Sequence, residues 1–221
     1  MLFTKEDGLS LDKIITGRQT TRVWGDGAPP KEMVEAIIEA GRQAPFSGMA
    51  VGGMDDFRHF FVLPRGGKTS LALREMVVAR MRELVAELTP QLSHNPRLKI
   101  ALGKWNMQLE KGPRGVGNAP WMVVIAERKG YPASEHQSLS HCIQNMWLKA
   151  TSLNLAFQLV SHLRNLGDSH PGLNAALGFI SGEYAFSACS IGYPGPNYKE
   201  RATPRSIPRL SVTWPDGDTP E

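Results

Sequence analysis

Near the start of the chain, Arg18-Gln19-Thr20-Thr21-Arg22 sets two guanidinium groups four residues apart with an amide and two hydroxyls between them. Arginine grips carboxylate or phosphate through paired, charge-assisted hydrogen bonds. The pattern therefore suits a small anionic ligand, and equally a solvated surface until position decides. Further basic clusters stand at Arg74/Arg80/Arg82 and Lys199/Arg201/Arg205/Arg209, yet the net charge is only +4 and the basic residues are scattered, which argues against nucleic acid as a partner. Gly67-Lys68-Thr69 follows a strand-like run, but Val62 stands where a P-loop needs its first glycine, so an NTPase is not supported. Gly25-x-Gly27 lacks the third glycine of a dinucleotide fingerprint. His136 and His141 are five apart and diverge on a helix, so no metal site is expected. No G-x-S-x-G elbow offers a nucleophile.

The elements that must hold these groups are legible from periodicity. Helices are expected over 31–43, behind Pro29-Pro30, over 70–89 with Val77, Met81, Leu84, Val85 and Leu88 inward, and over about 96–109 with Pro96 in the first turn. A helix from near Ser138 should carry Leu139, Cys142, Ile143, Met146 and Ala150 inward and stop about Asn154; a short one is expected near 171–177. Strands are expected at 57–63, 121–126, 155–160 and 184–191, with a last strand-like piece at Leu210–Trp214. Helices and strands alternate without a βαβ rhythm, which reads as α+β in a single domain over 1–221, its core about 11–214 and an extended tail from 195. Two cysteines exclude a disulfide scaffold, and no apolar run reaches the roughly 18 residues of a membrane span. Acidic residues in Met1-Leu2-Phe3-Thr4-Lys5-Glu6-Asp7 take the place of a signal peptide's basic start, so a cytoplasmic protein without membrane contact is expected.

In order along the chain come Arg18-x-Thr20-x-Arg22, a helix closing in Ala44-Pro45, Phe57–Val62, Asn118-Ala119-Pro120-Trp121-Met122-Val123-Val124, the stretch Ile143-Gln144-Asn145 through Leu148, Ala150, Leu153 and Leu155, and Ile191-Gly192-Tyr193-Pro194. Together they resemble the FMN-dependent nitroreductase family over about residues 11–214. Each motif alone is common; their order and spacing carry the resemblance. It implies a nitroreductase-like α+β fold, a central mixed β-sheet flanked by helices, and an intertwined homodimer whose long helix near 138–152 forms the interface core. It also implies FMN as cofactor and NAD(P)H as reductant, with a hydride passing through flavin N5 to a small-molecule acceptor such as a nitroaromatic or a quinone.

By the same resemblance, Arg18, Thr20 and Arg205 would meet the FMN phosphate, with Gln19 donating through its amide where a second basic residue is usual. Arg22 would reach the N1–O2 edge, where a cation favours the reduced flavin. The backbones of Ser161 and His162, ending a strand, would face N5 and O4. The His162 side chain reads as a structural histidine or as a proton donor beside N5; no other catalytic side chain is implied. Pro45, Phe46, Ser47 and Met49 occupy the family's A-P-S-x-x-N segment, whose asparagine commonly reaches the flavin, and here Phe46 and Met49 replace the serine and the asparagine. The loop 50–56, which the partner subunit normally contributes to line the flavin's face, is longer than usual, and Asn154 stands for a common glycine. Two other readings follow: a reductive dehalogenase or oxygen-using flavin enzyme, for which residues 90–117 would supply a lid, and a flavin- or ligand-binding protein without turnover.

Overall fold

Residues 4–196 and 198 are described by the structure, a computed structural model. They fold in the order α1 (Lys5–Gly17), α2 (Lys31–Arg42), α3 (Gly48–Val51), β1 (Arg58–Pro64), α4 (Lys68–Leu88), a 3₁₀ turn (Thr89–Ser93), α5 (Leu98–Lys111), β2 (Trp121–Arg128), α6 (Glu135–Ser152), β3 (Ala156–Leu159), α7 (His162–Leu166), α8 (Pro171–Leu177) and β4 (Tyr184–Gly192). The sheet order is β1-β2-β4-β3, with every strand pair antiparallel. The parallel component expected of a mixed sheet is confined, among the described residues, to a bridge between Thr20 and Phe157.

Strand β2 explains why Trp121–Ala126 reads as an unbroken apolar run. Side chains alternate across a strand, and both faces are covered here. Val123 and Ile125 point into a core with Ile37 of α2 and Met146 of α6; Met122, Val124 and Ala126 point into another with Leu73, Val77 and Met81 of α4. Each such fully buried side chain contributes roughly 1.5–3 kcal/mol. Of the face expected on α4, Val77 and Met81 are buried, whereas Leu84, Val85 and Leu88 are half-buried beyond the sheet's end.

Helices α2 and α6 approach so closely that a Cβ on Gly41 would sit 2.7 Å from Met146 Cγ and 3.0 Å from Cys142 Sγ. Beside this contact, Arg58 is held by Glu127 Oε2 at 2.8 Å, the Gly41 carbonyl at 3.1 Å and Ser138 Oγ at 2.6 Å. This buried network ties α2, β1, β2 and α6 together. The turn after α6 uses Asn154 at φ 56°, the left-handed conformation that asparagine tolerates.

Several expectations need correction. Helix α1 has no counterpart in the apolar pattern: it buries no residue, and its N-terminus is set instead by a capping box between Thr4 and Asp7. Pro96 lies in the turn before α5, not in its first turn. Helix α6 starts at Glu135, three residues before Ser138. The 46–56 loop contains the single turn α3, capped by Ser47 Oγ accepting from the Ala50 N–H at 3.3 Å. The strand-like piece Leu210–Trp214 lies outside the described residues.

Candidate functional site

Strand β3 is an edge strand, and its outer edge gathers most of the residues singled out above. The Thr21 N–H donates to the Phe157 carbonyl at 3.1 Å beside the Thr20–Phe157 bridge, laying the 18–22 segment along that edge. The chain leaves β3 through Val160, whose N–H still pairs with Ala188, and turns directly into α7. Ser161 and His162 therefore do not end a strand, as expected; they are the N-cap and first residue of a helix. A five-residue helix is too short to leave a periodic signal.

Beside this edge lies a cleft of about 720 Å³. Arg22, Ser161 and His162 meet on its wall with Gln158 and Leu159 of β3, while α5 and the loop after it form the opposite wall. Arg97, Lys104 and Arg114 bring three more cations, and no carboxylate of the described residues lines the cleft. Trp105 and Gln108 also face it. Part of the 90–117 region, for which a lid is expected, thus lines the cleft. The individual lid residues escaped sequence reading; the available signal was the helical spacing of Arg97, Ala101, Lys104 and Gln108.

The base of this lid is pinned by polar side chains. Gln158 Nε2 donates to the Arg114 carbonyl at 3.1 Å, the Ser190 hydroxyl donates to the Gly115 carbonyl, and the Gly115 N–H donates to Asn118 Oδ1 at 2.9 Å. The Arg114 N–H donates to Gln108 Oε1 at 3.2 Å, which identifies that atom as oxygen; His162 Nε2, 2.9 Å from it, must then carry a proton. His162 Nδ1 and Gln158 Oε1 are buried without a hydrogen-bond partner among the described residues. Burial lowers the His162 pKa, so its imidazole is held neutral.

The other expected residues are distributed around the edge or away from it. Arg18 lies over the Trp147 ring, 4.2 Å from its centroid, and Trp147 lines a second hollow of about 280 Å³ together with Leu159 and Ser161. Gln19 lines a different hollow, with Lys13, Ile14 and Thr151. Pro45, Phe46 and Ser47 line a hollow of about 220 Å³ against the first half of α6 and do not reach the cleft within one chain. Phe46 packs on Phe57 at 4.4 Å, yet it and Met49 remain 47% and 78% exposed. Arg205 lies outside the described residues. Among the described residues no three His, Cys, Asp or Glu side chains gather to hold a metal ion.

The sequence profile of the nitroreductase family matches residues 15–193. The chain belongs to the nitroreductase family. The fold of this member is also that of solved structures at low identity. An FMN-bound nitroreductase from Bacteroides fragilis superposes with a TM-score of 0.66 at 18% identity, covering 92% of this chain and 98% of that one. Iodotyrosine deiodinase bound to FMN and 3-iodo-L-tyrosine gives 0.62 at 14% identity, covering 92% and 100%. The FMN-dependent nitroreductase NfnB from Mycobacterium smegmatis, in complex with NADPH, gives 0.58 at 17%, covering 85% and 88%. No curated protein sequence matches the chain. Among the described residues no helix is long and apolar enough to cross a membrane.

Proposed function

We propose that two copies of this chain form an FMN-containing oxidoreductase that draws reducing equivalents from NAD(P)H and delivers them to a small acceptor such as a nitroaromatic or a quinone, in the cytoplasm. The observation that carries this reading is the meeting of Arg22 with Ser161 and His162 on one cationic cleft, brought about by the bridge between Thr20 and Phe157. The residues present suit FMN. The cleft volume of about 720 Å³ lies in the range of small-molecule sites, and its cations have no carboxylate in the lining to compete with an anion. The Arg164 N–H is taken by the Ser161 carbonyl, and the Ser161 and His162 N–H groups ahead of it, at the start of α7, can serve ring heteroatoms.

When bound, FMN supplies the centre that accepts a hydride and gives it up again. This chain's residues bind and orient around it. Arg18 and Thr20, with Gln19 and Arg205, hold the phosphate; each charge-assisted bond contributes about 1.5–3 kcal/mol. Arg22 keeps a positive charge at the pyrimidine edge, where negative charge accumulates on reduction. The backbones of Ser161 and His162 donate toward N5 and O4. Neutral His162 points its Nε2 proton at Gln108 and thereby ties the wall of the site to α5; it acts as a positioning residue. Pro45, Phe46, Ser47 and Met49 of the second copy cover the flavin face, consistent with the exposure of Phe46 and Met49 in one chain.

Purified protein is expected to be yellow, to bleach anaerobically on NADPH and to recover colour when an acceptor is added. A colourless protein that refuses FMN refutes the flavin reading; a yellow one that never bleaches favours a binding protein without turnover. Arg18→Ala is expected to weaken FMN retention by about 1.5–3 kcal/mol, measured by flavin fluorescence on dilution. Unchanged retention would remove Arg18 from the phosphate. The lid formed by α5 favours a second reading, reductive dehalogenation or oxygen-dependent flavin chemistry. Turnover of a halotyrosine in preference to a nitroaromatic would select it.

A further inference from the structure

The contacts proposed for FMN leave three cations of the α5 wall unassigned. Arg97, Lys104 and Arg114 line the cleft, and none forms an ion pair among the described residues. Some arginines elsewhere do find carboxylates: Arg42 has Glu39, Arg80 has Glu83 and Glu87, and Arg58 has Glu127. The contrast is sharpest at the start of α5. Arg97 is its N-cap, Lys99 follows, and the first turn holds no acid. A helix N-terminus already carries partial positive charge, so cations there repel it unless an anion intervenes. The lining positions Arg97, Ala101, Lys104 and Gln108 recur every three to four residues and so share one face of α5. Beside these two cations, Ile100 is 69% exposed and Trp105 half-buried, both lining the cleft.

We propose that this face of α5 selects the incoming molecule by charge: Arg97 and Lys104 grip a carboxylate or phosphate, while the ligand's apolar body lies against Ile100 and Trp105. What the ligand does there rests on the flavin reading, but its capture does not. Two sources would present such an anion, the 2′-phosphate of NADPH or an acidic electron acceptor. A cleft whose charges share one sign concentrates anions and speeds their entry, an effect that salt suppresses.

The test is isothermal titration of the protein, FMN-loaded and flavin-stripped, with two matched pairs: 4-nitrobenzoate against 4-nitrobenzamide, and NADP⁺ against NAD⁺. At low salt the more anionic member of at least one pair is expected to bind about tenfold or more tighter. The double variant R97E/K104E should abolish that preference, and R97K/K104R should keep it. Discrimination in the first pair alone identifies an acidic acceptor, and in the second alone the 2′-phosphate; either supports the proposal. Equal affinities within both pairs, or a preference that survives R97E/K104E, overturn it. Flavin absorbance of every variant reports separately on the cofactor. A parent protein that takes up no FMN yet keeps the anion preference would sink the flavin reading and leave this one standing.

Discussion

The Arg58 network offers a sharp energetic test, because it stands at the root of the segment proposed to reach the second copy. The Arg58 and Glu127 side chains are 4% and 3% exposed, and their 2.8 Å contact joins two neighbouring strands. Replacing Arg58 by Met removes the cation and three hydrogen bonds at once, those to Glu127, the Gly41 carbonyl and Ser138. The Glu127 carboxylate would stay buried with no compensating charge. Breaking such a pair costs about 3–5 kcal/mol, a large share of the roughly 5–15 kcal/mol that holds a typical domain together. Glu127→Leu strands the opposite charge and should cost a similar amount. The double variant R58M/E127L strands neither, so it should lie within about 1 kcal/mol of the parent or above it. Equilibrium urea unfolding of the four proteins at one protomer concentration measures the cycle, and the coupling should exceed about 2 kcal/mol. The Gly41 carbonyl lies in the last turn of α2, four residues before Pro45. Arg58→Met should therefore also loosen flavin retention where the protein is still folded. A loss below about 1 kcal/mol, the scale of a solvated surface pair, would refute the argument.

Two further predictions concern the lid and its contact with His162. Burial lowers the His162 pKa below its ordinary value of 6.5, so the folded chain refuses a proton that the unfolded chain accepts. The stability this neutral group allows is complete above about 6.5 and is lost as pH falls through that value toward the folded one. His162→Gln should flatten the pH dependence of unfolding free energy between about pH 7.5 and 5; a difference curve with no slope would refute the assignment. Gly115 has φ 82°, and a Cβ there would stand 3.0 Å from Gln158 Nε2 and 3.1 Å from Val160 Cγ2. Gly115→Ala should cost about 1–3 kcal/mol and speed proteolytic cleavage within 90–117, whereas Gly8→Ala, with nothing within 4 Å of its Cβ, should leave both unchanged or better. Equal behaviour of the two variants would remove Gly115 as the lid's anchor.

How far the fold was legible depends on what each element packs against. Helices α2 and α6 pack on one core and strands β2 and β4 lie between two, so the need to bury apolar surface wrote a pattern into their sequences. Helix α1 buries nothing in one chain and keeps Leu9, Leu11 and Ile15 about half exposed. Its one legible mark is polar, the Thr4-x-x-Asp7 cap, which an apolar search passes over. Strand β3 was found because Phe157 is a core residue, but the turn into α7 was not, because the boundary is set by backbone bonds of Val160 and Arg164 that any residue could make. Lid cations escaped for a related reason: a charged helix face facing a cleft and one facing water have the same composition.

The distribution of the expected site residues has its own physical logic. Arg22 is far in sequence from Ser161 and His162, and the three meet on one cleft through backbone pairing at Phe157, which leaves no side-chain signature. Resemblance to a family named them where periodicity could not. Pro45, Phe46, Ser47 and Met49 were named by the same resemblance, yet one chain keeps them against the start of α6, across the sheet from α4 and away from the cleft. The segment leaves two large apolar side chains exposed beside a clamped helix end, which suits the cover proposed from a second copy. If a second copy covers it, Phe46→Ser and Met49→Asn together should leave the monomer's unfolding unchanged and alter flavin retention. If nothing covers it, the same double change should raise solubility and leave the flavin untouched.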